Sequence, residues 1–122
     1  MQIEHIQNNG IGIAHITAQE LVITDTQSAL DLAMSVKYET CASRIAISKD
    51  LVCGEFFILS SGVAGEILQK YINYHVKMAI YGDYSRYTSK PLRDFIYESN
   101  QGKDFFFVAT REVALEKLAQ AK

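Results

Sequence analysis

Short apolar stretches rich in β-branched and aromatic residues recur along the chain, and each is bounded by polar or turn-forming residues. Such stretches are typical of strands, and the Asn-Asn-Gly sequence at residues 8–10 favours a tight turn between the first two. Residues 21–23 are also apolar, and they form either a further strand or an extended entry to the next helix. The predicted strands cover residues 3–6, 12–17, 44–48, 76–81 and 105–108.

Four further segments repeat apolar residues at the spacing of an amphipathic helix. Each follows a residue whose side chain can accept a backbone N–H bond at a helix start. Pro91 lies inside the first turn of one such segment, where its missing N–H costs no helical hydrogen bond. The candidate helix starts are Asp25 or Thr26, Ser60 or Ser61, Ser89, and Thr110.

The predicted elements alternate in the order ββαβαβαβα, which indicates an α/β fold. Helices between successive strands imply parallel crossovers, and the N-terminal hairpin makes the sheet mixed. We therefore expect one α/β domain over residues 1–122, with a mixed sheet of four to five strands and helices packed on it. Residues 55–59 are predicted to form a short helical turn or loop that Phe56 and Phe57 pack against the rest.

Composition excludes several classes of protein. The chain has 122 residues, of which 48% are hydrophobic and 21% charged, and its net charge is -2. It is too apolar for a disordered chain and lacks the basic excess of a nucleic-acid binder. No apolar run approaches the roughly 20 residues of a membrane-spanning helix, and the N-terminus does not resemble a signal peptide. We therefore expect a cytoplasmic protein that binds neither nucleic acid nor membrane.

The reactive residues form no recognisable catalytic or metal motif. Cys41 and Cys53 are too few for a disulfide scaffold or a zinc site, and they are expected to pack as free thiols. His5, His15 and His75 are too scattered to indicate a triad or a metal site. The chain also lacks a nucleophile elbow, a P-loop and a dinucleotide fingerprint. We predict no catalytic residue, metal or cofactor, and whether the protein is an enzyme stays open.

Two sets of motifs resemble known families. An apolar hairpin, a Leu-Ser-Ser-Gly helix start, a strand ending in glycine, and a final aromatic strand and helix occur at residues 10–16, 20–23, 59–68, 77–82, 104–108 and 112–118. In this order they resemble STAS domains, the sulfate-transporter and anti-sigma-factor-antagonist domains. Residues 64–70 and 90–98 resemble a bacterial family of small stand-alone proteins that is described only as a domain of unknown function.

The resemblance to STAS domains implies a regulatory function. In anti-sigma-factor antagonists a partner kinase phosphorylates the first serine of the motif, which by position is Ser60, and this switches partner binding. A helix start suits a phosphate because the helix dipole attracts its charge of about −1.5 to −2. The resemblance therefore implies a protein partner, either a kinase or an anti-sigma-like regulator. The alternative is that Ser60 or Ser61 only caps the helix.

The loop at residues 83–89 carries two tyrosines and an arginine, which are residue types enriched at binding hot spots. It follows the carboxyl end of a strand, where ligands bind in open α/β sheets. We expect Asp50 and the helix start at Ser60 to lie at the same edge of the sheet. The alternative is a solvated loop whose tyrosines shield the core. The candidate partner- or ligand-binding residues are Asp50, Ser60, Ser61, Gly62, Asp83, Tyr84 and Arg86.

Three functions remain open at this point. The first is a cytosolic regulatory or protein-binding module that uses this edge. The second is a small-ligand-binding protein or an enzyme, with a pocket lined by Asp50, Asp83 and Arg86. The third is a structural homo-oligomer, such as a homodimer, held by a symmetric aromatic interface. The aromatic residues considered for that interface are Phe56, Phe57, Tyr71, Tyr74 and Tyr81.

Overall fold

A computed structural model describes residues 1–122 and contains five strands and four α-helices. The strands are β1 (Gln2–Asn8), β2 (Ile11–Thr17), β3 (Arg44–Ser48), β4 (Lys77–Tyr81) and β5 (Phe105–Val108). The helices are α1 (Thr26–Thr40), α2 (Val63–Asn73), α3 (Lys90–Gln101) and α4 (Arg111–Gln120). No helix is long and apolar enough to cross a membrane. Three 3₁₀ turns connect β3 to α2, at Lys49–Leu51, Gly54–Phe57 and Leu59–Ser61.

The strands form one sheet in the order β1-β2-β3-β4-β5. β1 is antiparallel to β2, and every other neighbouring pair is parallel. Asn9 and Gly10 make the turn between β1 and β2 with φ values of 55° and 80°, in the left-handed region that Asn and Gly tolerate best. The predicted α/β fold with a mixed sheet is therefore confirmed.

The two faces of the sheet are covered unequally. Helices α1, α2 and α3 pack on one face, in a core of 23 buried residues that includes Ala14, Ile47 and Phe107. Helix α4 packs alone on the other face, in a core of 7 buried residues that includes Ile13 and Ala79. Both cores draw on β2, β3, β4 and β5 because successive side chains of a strand point to opposite faces.

The start of α2 differs from the prediction. The helix begins at Val63 rather than at Ser60 or Ser61. The preceding residues Leu59–Ser61 form a separate 3₁₀ turn, and Gly62 ends this turn with a φ of 82°. A left-handed backbone interrupts the helical hydrogen-bond ladder, so the helix can begin only after the glycine.

The remaining helix starts agree with the prediction. Pro91 lies in the first turn of α3. The N–H groups of Val22 and Ile23 bond to the carbonyl of Leu51 at 2.8 and 3.1 Å, so this segment is an extended entry to α1 and not a strand of the sheet. The side chains that accept an N–H bond at the starts of α1, α3 and α4 are those of Asp25, Ser89 and Thr110.

Candidate functional site

The carboxyl ends of β2, β3, β4 and β5 lie along one edge of the sheet, because these strands are parallel. This edge, named here the carboxyl edge, carries the connections to all four helix starts. Asp50 lies in the 3₁₀ turn after β3, and Asp83 follows β4. The connection after β3 and the connection after β4 touch at Lys49 and Gly82. Gly82 has no side chain, and a Cβ atom added to it would lie only 2.8 Å from the Cβ of Lys49. Asp50 and Asp83 therefore stand on neighbouring loops.

Tyr84 anchors the loop between β4 and α3. Its hydroxyl donates a hydrogen bond to the carbonyl of Ile80 at 2.6 Å. Its ring packs on Phe57 and Phe107, with centroid distances of 6.1 and 5.9 Å. Burial raises the pKa of the Tyr84 hydroxyl well above its ordinary value. Tyr84 is therefore half-buried against the core, and replacing it would lower the stability of the fold.

Asp83 is exposed, and its carboxylate shapes the start of the same loop. The carboxylate accepts a hydrogen bond from the backbone N–H of Ser85 at 2.9 Å. This bond lowers the pKa of Asp83, and the charges of Arg86 and Lys49 lower it further. Arg86 itself is exposed, whereas Lys49 lies over the ring of Tyr87 at 5.1 Å. Arg86 is therefore the cation that this loop presents to solvent.

The two serines before α2 have different surroundings. The Ser61 hydroxyl donates to the carbonyl of Glu55 at 2.8 Å and accepts from the N–H of Val63 at 3.3 Å. Ser61 therefore ties the 3₁₀ turns to the start of the helix. Ser60 is exposed, and its hydroxyl forms none of the side-chain hydrogen bonds that hold this turn. Nearby Ile58 is also 57% exposed.

Most of the candidate residues are tied together through one buried ring. Phe57 stacks on Tyr87 with a centroid distance of 5.0 Å, so the 3₁₀ turn Gly54–Phe57 is held against the loop that carries Asp83 and Arg86. The bond from Ser61 to Glu55 connects this turn to the next one, which carries Ser60. Asp50 stands apart from this group. Its charge reaches Tyr81, whose pKa is raised mainly by burial and to a smaller degree by Asp50.

A cavity of about 470 Å³ opens at the carboxyl edge between β4 and β5. The chain leaves β4 for α3 on one face of the sheet and leaves β5 for α4 on the other. Such a change of face is the usual place for a ligand in an open α/β sheet. The cavity is lined by Asp83 but not by Asp50 or Arg86, and its walls are Gly82, Asp83, Tyr84, Phe107, Val108 and Ala109.

The structure also holds a polar network that the sequence did not reveal. His15 is the only buried polar residue, and its Nε2 lies 2.7 Å from the hydroxyl of Tyr81. Its Nδ1 lies 3.4 Å from Oε1 of Glu4 and 3.4 Å from Nε of Arg111. A second Arg111 nitrogen lies 3.3 Å from the same Glu4 oxygen. The network therefore connects β1, β2, β4 and α4.

Burial favours the neutral form of the His15 imidazole over its protonated form. Desolvation lowers the pKa of His15 from 6.5, and the Arg111 charge acts in the same direction, while Glu4 opposes them. With the proton on Nδ1, the ring donates to Glu4 and accepts from Tyr81. With the proton on Nε2, the ring donates to Tyr81 and accepts from Arg111. Both neutral forms thus have partners for both nitrogens.

The chain offers only a weak signal for this network. His15 lies between the apolar residues Ala14 and Ile16 of β2, so the sequence shows it as a polar residue on a buried strand. Its partners were not recognisable, because Tyr81 is 66 positions away and the Glu4–Arg111 contact spans 107 positions. The cavity between β4 and β5 includes neither His15 nor Tyr81, and we assign the network to holding the elements together.

The structure corrects the proposed aromatic interface. Phe56, Phe57 and Tyr71 are buried in the core of the chain, so they cannot form a contact between protomers. Tyr71 also donates to the carbonyl of Ala29 at 2.6 Å, which fixes α2 against α1. Of the remaining two, Tyr81 belongs to the His15 network and Tyr74 is 49% exposed.

No group of three or more His, Cys, Asp or Glu side chains is arranged to hold a metal ion. Cys41 and Cys53 are both free, and the Sγ of Cys53 lies 3.4 Å from the carbonyl of Thr24. The candidate site thus consists of the Ser60 turn, the loop after β4 and the cavity beside it.

These features define a small α/β domain with a mixed five-stranded sheet and a surface at the carboxyl ends of its parallel strands. Residues 8–118 match the family described as "Domain of unknown function (DUF4180)", and the chain belongs to this family. No curated protein and no solved structure matches the chain significantly.

Proposed function

We propose that this protein is a small cytosolic regulatory module that binds a protein partner at the carboxyl edge, and that modification of Ser60 controls the binding. The observation that carries this proposal is the different use of two adjacent serines. Both serines are exposed, but the Ser61 hydroxyl is bonded on both sides within the fold, whereas the Ser60 hydroxyl takes no part in those bonds. A hydroxyl without a structural role can be modified without loss of the fold.

The surroundings of Ser60 also suit a docking surface. Ile58 exposes an aliphatic side chain on the same turn, and the buried rings of Phe56 and Phe57 keep that turn in place. Arg86 adds an exposed cation on the neighbouring loop. An apolar contact contributes affinity, while a phosphate at Ser60 would change the local charge by about −1.5 to −2 and alter the fit of a partner.

The resemblance to STAS domains supports the same proposal. The element order ββαβαβαβα and the Ser-Ser-Gly motif before α2 are the features that carry that resemblance. In the anti-sigma-factor antagonists among those domains, phosphorylation of the corresponding serine switches partner binding. The acidic residue that precedes the serines there is Leu59 here, so recognition by a kinase would depend on other residues of the turn.

The test compares baits that differ only near Ser60. Wild type, Ser60→Ala, Ser60→Asp and Ile58→Ser are used to capture partners, and the affinity for the recovered partner is then measured with purified proteins. Gln101→Glu is the matched control, since it adds one negative charge at an exposed position of α3 near the opposite edge of the sheet. Thermal melts verify that every bait is folded.

We expect Ser60→Asp to change the affinity about tenfold or more, because a charge in a desolvated contact shifts binding by at least about 1.4 kcal/mol. Ile58→Ser should weaken binding, and Ser60→Ala and Gln101→Glu should leave it near wild type. A partner that binds all five proteins equally would place its contact elsewhere and contradict the proposal.

A second candidate function is binding of a small ligand in the cavity between β4 and β5. The observation that favours it is the cavity of about 470 Å³ at the point where successive connections change faces. Ala109 is exposed at the rim, so Ala109→Phe should obstruct the cavity with little effect on the core. A compound from a fragment library that raises the melting temperature of wild type but not of Ala109→Phe would support this function. Equal shifts would exclude the cavity as its site.

A further inference from the structure

The two edge strands of the sheet, β5 and β1, differ in the hydrogen bonds that their outward-facing backbone groups make. At the β5 edge, the Nδ2 of Asn100 donates to the carbonyl of Phe107 at 3.1 Å, and its Oδ1 accepts the N–H of Phe107 at 2.7 Å. The amide side chain thus takes the place of a neighbouring strand. At the opposite edge, β1 pairs only with β2, and no other backbone or side-chain group bonds to its main chain.

β1 presents unpaired backbone groups to solvent at every second residue. Asn8 and Ile11 close the two-residue turn, and the closing pair of such a hairpin exchanges both backbone hydrogen bonds. The pattern then alternates along β1, so every second residue directs its N–H and C=O away from β2. The residues with outward-pointing groups are Ile3, His5 and Gln7.

β1 has one of the usual features that prevent strands from pairing with other molecules, the charged side chain of Glu4, and lacks the others. Natural edge strands are blocked by lysine, proline or a bulge, and the sequence QIEHIQN of β1 pairs without interruption and contains neither residue. Its one carboxylate, Glu4, is held by Arg111 at 3.3 Å and faces His15 at 3.4 Å. The edge is therefore long, continuous and nearly neutral.

We propose that β1 pairs antiparallel with β1 of a second copy of this chain, so that the two sheets join across a twofold axis. The inference is independent of the function proposed for the carboxyl edge. Antiparallel pairing of a strand with itself is isologous, so each copy supplies the donors that the other lacks. An extended strand can pair with the whole row of alternating groups at once.

The length of β1 favours the register in which all seven residues pair, and its charge disfavours one of the alternatives. When all seven residues pair, Ile3 lies opposite Gln7 of the second copy and His5 lies opposite His5, so the outward-pointing groups meet each other. Glu4 then lies opposite Ile6. A shift that placed Glu4 opposite Glu4 would oppose two carboxylates, which is unfavourable for directly paired residues.

An exposed aromatic residue flanks the same edge. Tyr38 of α1 is 90% exposed, which is the highest value among the large hydrophobic residues. It lines a groove of about 660 Å³ between α1 and β1, together with Ile3 and His5. In the dimer this groove adjoins the joined strands, and the second copy removes part of the Tyr38 ring from water.

The size of the β1 edge sets the expected affinity of the dimer. Seven residues of strand are about 24 Å long, and the sheet with one helix layer is roughly 20 Å thick. Each protomer would thus bury roughly 500 Å², or about 1,000 Å² in total, which is near the lower limit for specific complexes. We therefore expect a weak dimer that forms at micromolar to millimolar concentrations.

Sedimentation equilibrium of the full chain, at protein concentrations up to about 1 mM, tests the proposal. Gln7→Pro removes an outward N–H that is unbonded in the monomer, at a type of position where edge strands tolerate proline. Gln7→Ala is the matched control because it keeps the N–H. We expect wild type and Gln7→Ala to dimerise with similar affinity. Gln7→Pro should weaken the dimer at least tenfold, and Tyr38→Ser should weaken it to a lesser degree.

Amide hydrogen exchange of the wild type provides a readout that does not depend on the folding of Gln7→Pro. The amides of Ile3, His5 and Gln7 should exchange more slowly as the protein concentration rises. Those of Glu4 and Ile6, which point to β2, should change little. A protein that stays monomeric at about 1 mM overturns the proposal. So does a dimer in which the three outward amides remain unprotected.

Discussion

Tyr81→Phe is the substitution that tests the His15 network most directly. It removes one oxygen and leaves the ring, so that packing on the α4 face is retained. The lost hydroxyl is the partner of His15 Nε2 at 2.7 Å, and the His15 ring is only 5% exposed. The imidazole nitrogen would then be buried without a hydrogen bond.

The expected cost follows from that burial. Leaving a buried polar group without its partner costs about 1–3 kcal/mol. For a chain of this length, a loss of about 2 kcal/mol lowers the melting temperature by roughly 5–10 °C. The urea midpoint should fall by about 1 M with an unchanged m-value, because the folded surface is the same. Tyr97→Phe is the matched control, since Tyr97 is 67% exposed, and it should stay within about 0.5 kcal/mol of wild type.

The pH dependence of stability provides a second measurement. The pKa of His15 is lowered in the folded state, so the unfolded chain takes up a proton first as the pH falls below 6.5. The free energy of unfolding should therefore be highest above that pH and decrease until folded His15 itself becomes protonated. His15→Leu should remove this part of the decrease, whereas His75→Gln at an exposed position should not.

A double-mutant cycle decides whether the two residues act together. In a His15→Leu background the Tyr81 hydroxyl no longer has its partner, and Tyr81→Phe should cost less than about 0.5 kcal/mol. The coupling between the two positions should then be about 1 kcal/mol or more. If Tyr81→Phe costs as much in that background as in wild type, the bond at 2.7 Å is not the source of the stability.

Three further substitutions have expected effects on stability that urea denaturation would measure. Tyr84→Phe removes the bond to the carbonyl of Ile80 and should cost about 1 kcal/mol, and a neutral result would show that Tyr84 is held by its ring alone. Cys41→Gly should stabilise the chain by about 0.5–1 kcal/mol, because residue 41 ends α1 with a φ of 61°, in the left-handed region that glycine adopts most easily. A decrease in the free energy of unfolding would contradict this. Asn100→Ala should cost about 1–2 kcal/mol and increase aggregation, because it leaves the backbone groups of Phe107 unpaired at the sheet edge. Unchanged solubility would show that α3 covers that edge without the amide.

The secondary structure was largely predictable from neighbouring residues. Helix caps act within one turn, so Asp25, Ser89 and Thr110 marked the starts of three helices correctly. The start of α2 was placed too early because Ser60 and Ser61 resemble caps. The left-handed backbone of the following glycine, which separates a 3₁₀ turn from the helix, is not visible in the residue pattern.

The candidate site was predictable only in part. The positions of Asp50 and Asp83 after buried strands placed them on neighbouring loops of the carboxyl edge. The sequence leaves two roles for Tyr84 open, contact with a partner or shielding of the core, because nothing local distinguishes an exposed tyrosine from one whose hydroxyl turns inward to Ile80. The structure therefore leaves Ser60, Asp83 and Arg86 exposed on this surface, whereas the hydroxyl of Tyr84 is bonded inward.

The sequence by itself determined the order of elements, most helix starts and the α/β class, because periodicity and capping depend on residues within a few positions of each other. Only the tertiary structure decided that His15 meets Tyr81 and Glu4, that Phe57 stacks on Tyr87 of the next loop, and that a side chain bonds to the β5 edge at Phe107 while none bonds to the β1 edge. These contacts join residues that are distant in the chain. They exist because packing the helices on the sheet brings those residues together, and no local pattern encodes that proximity.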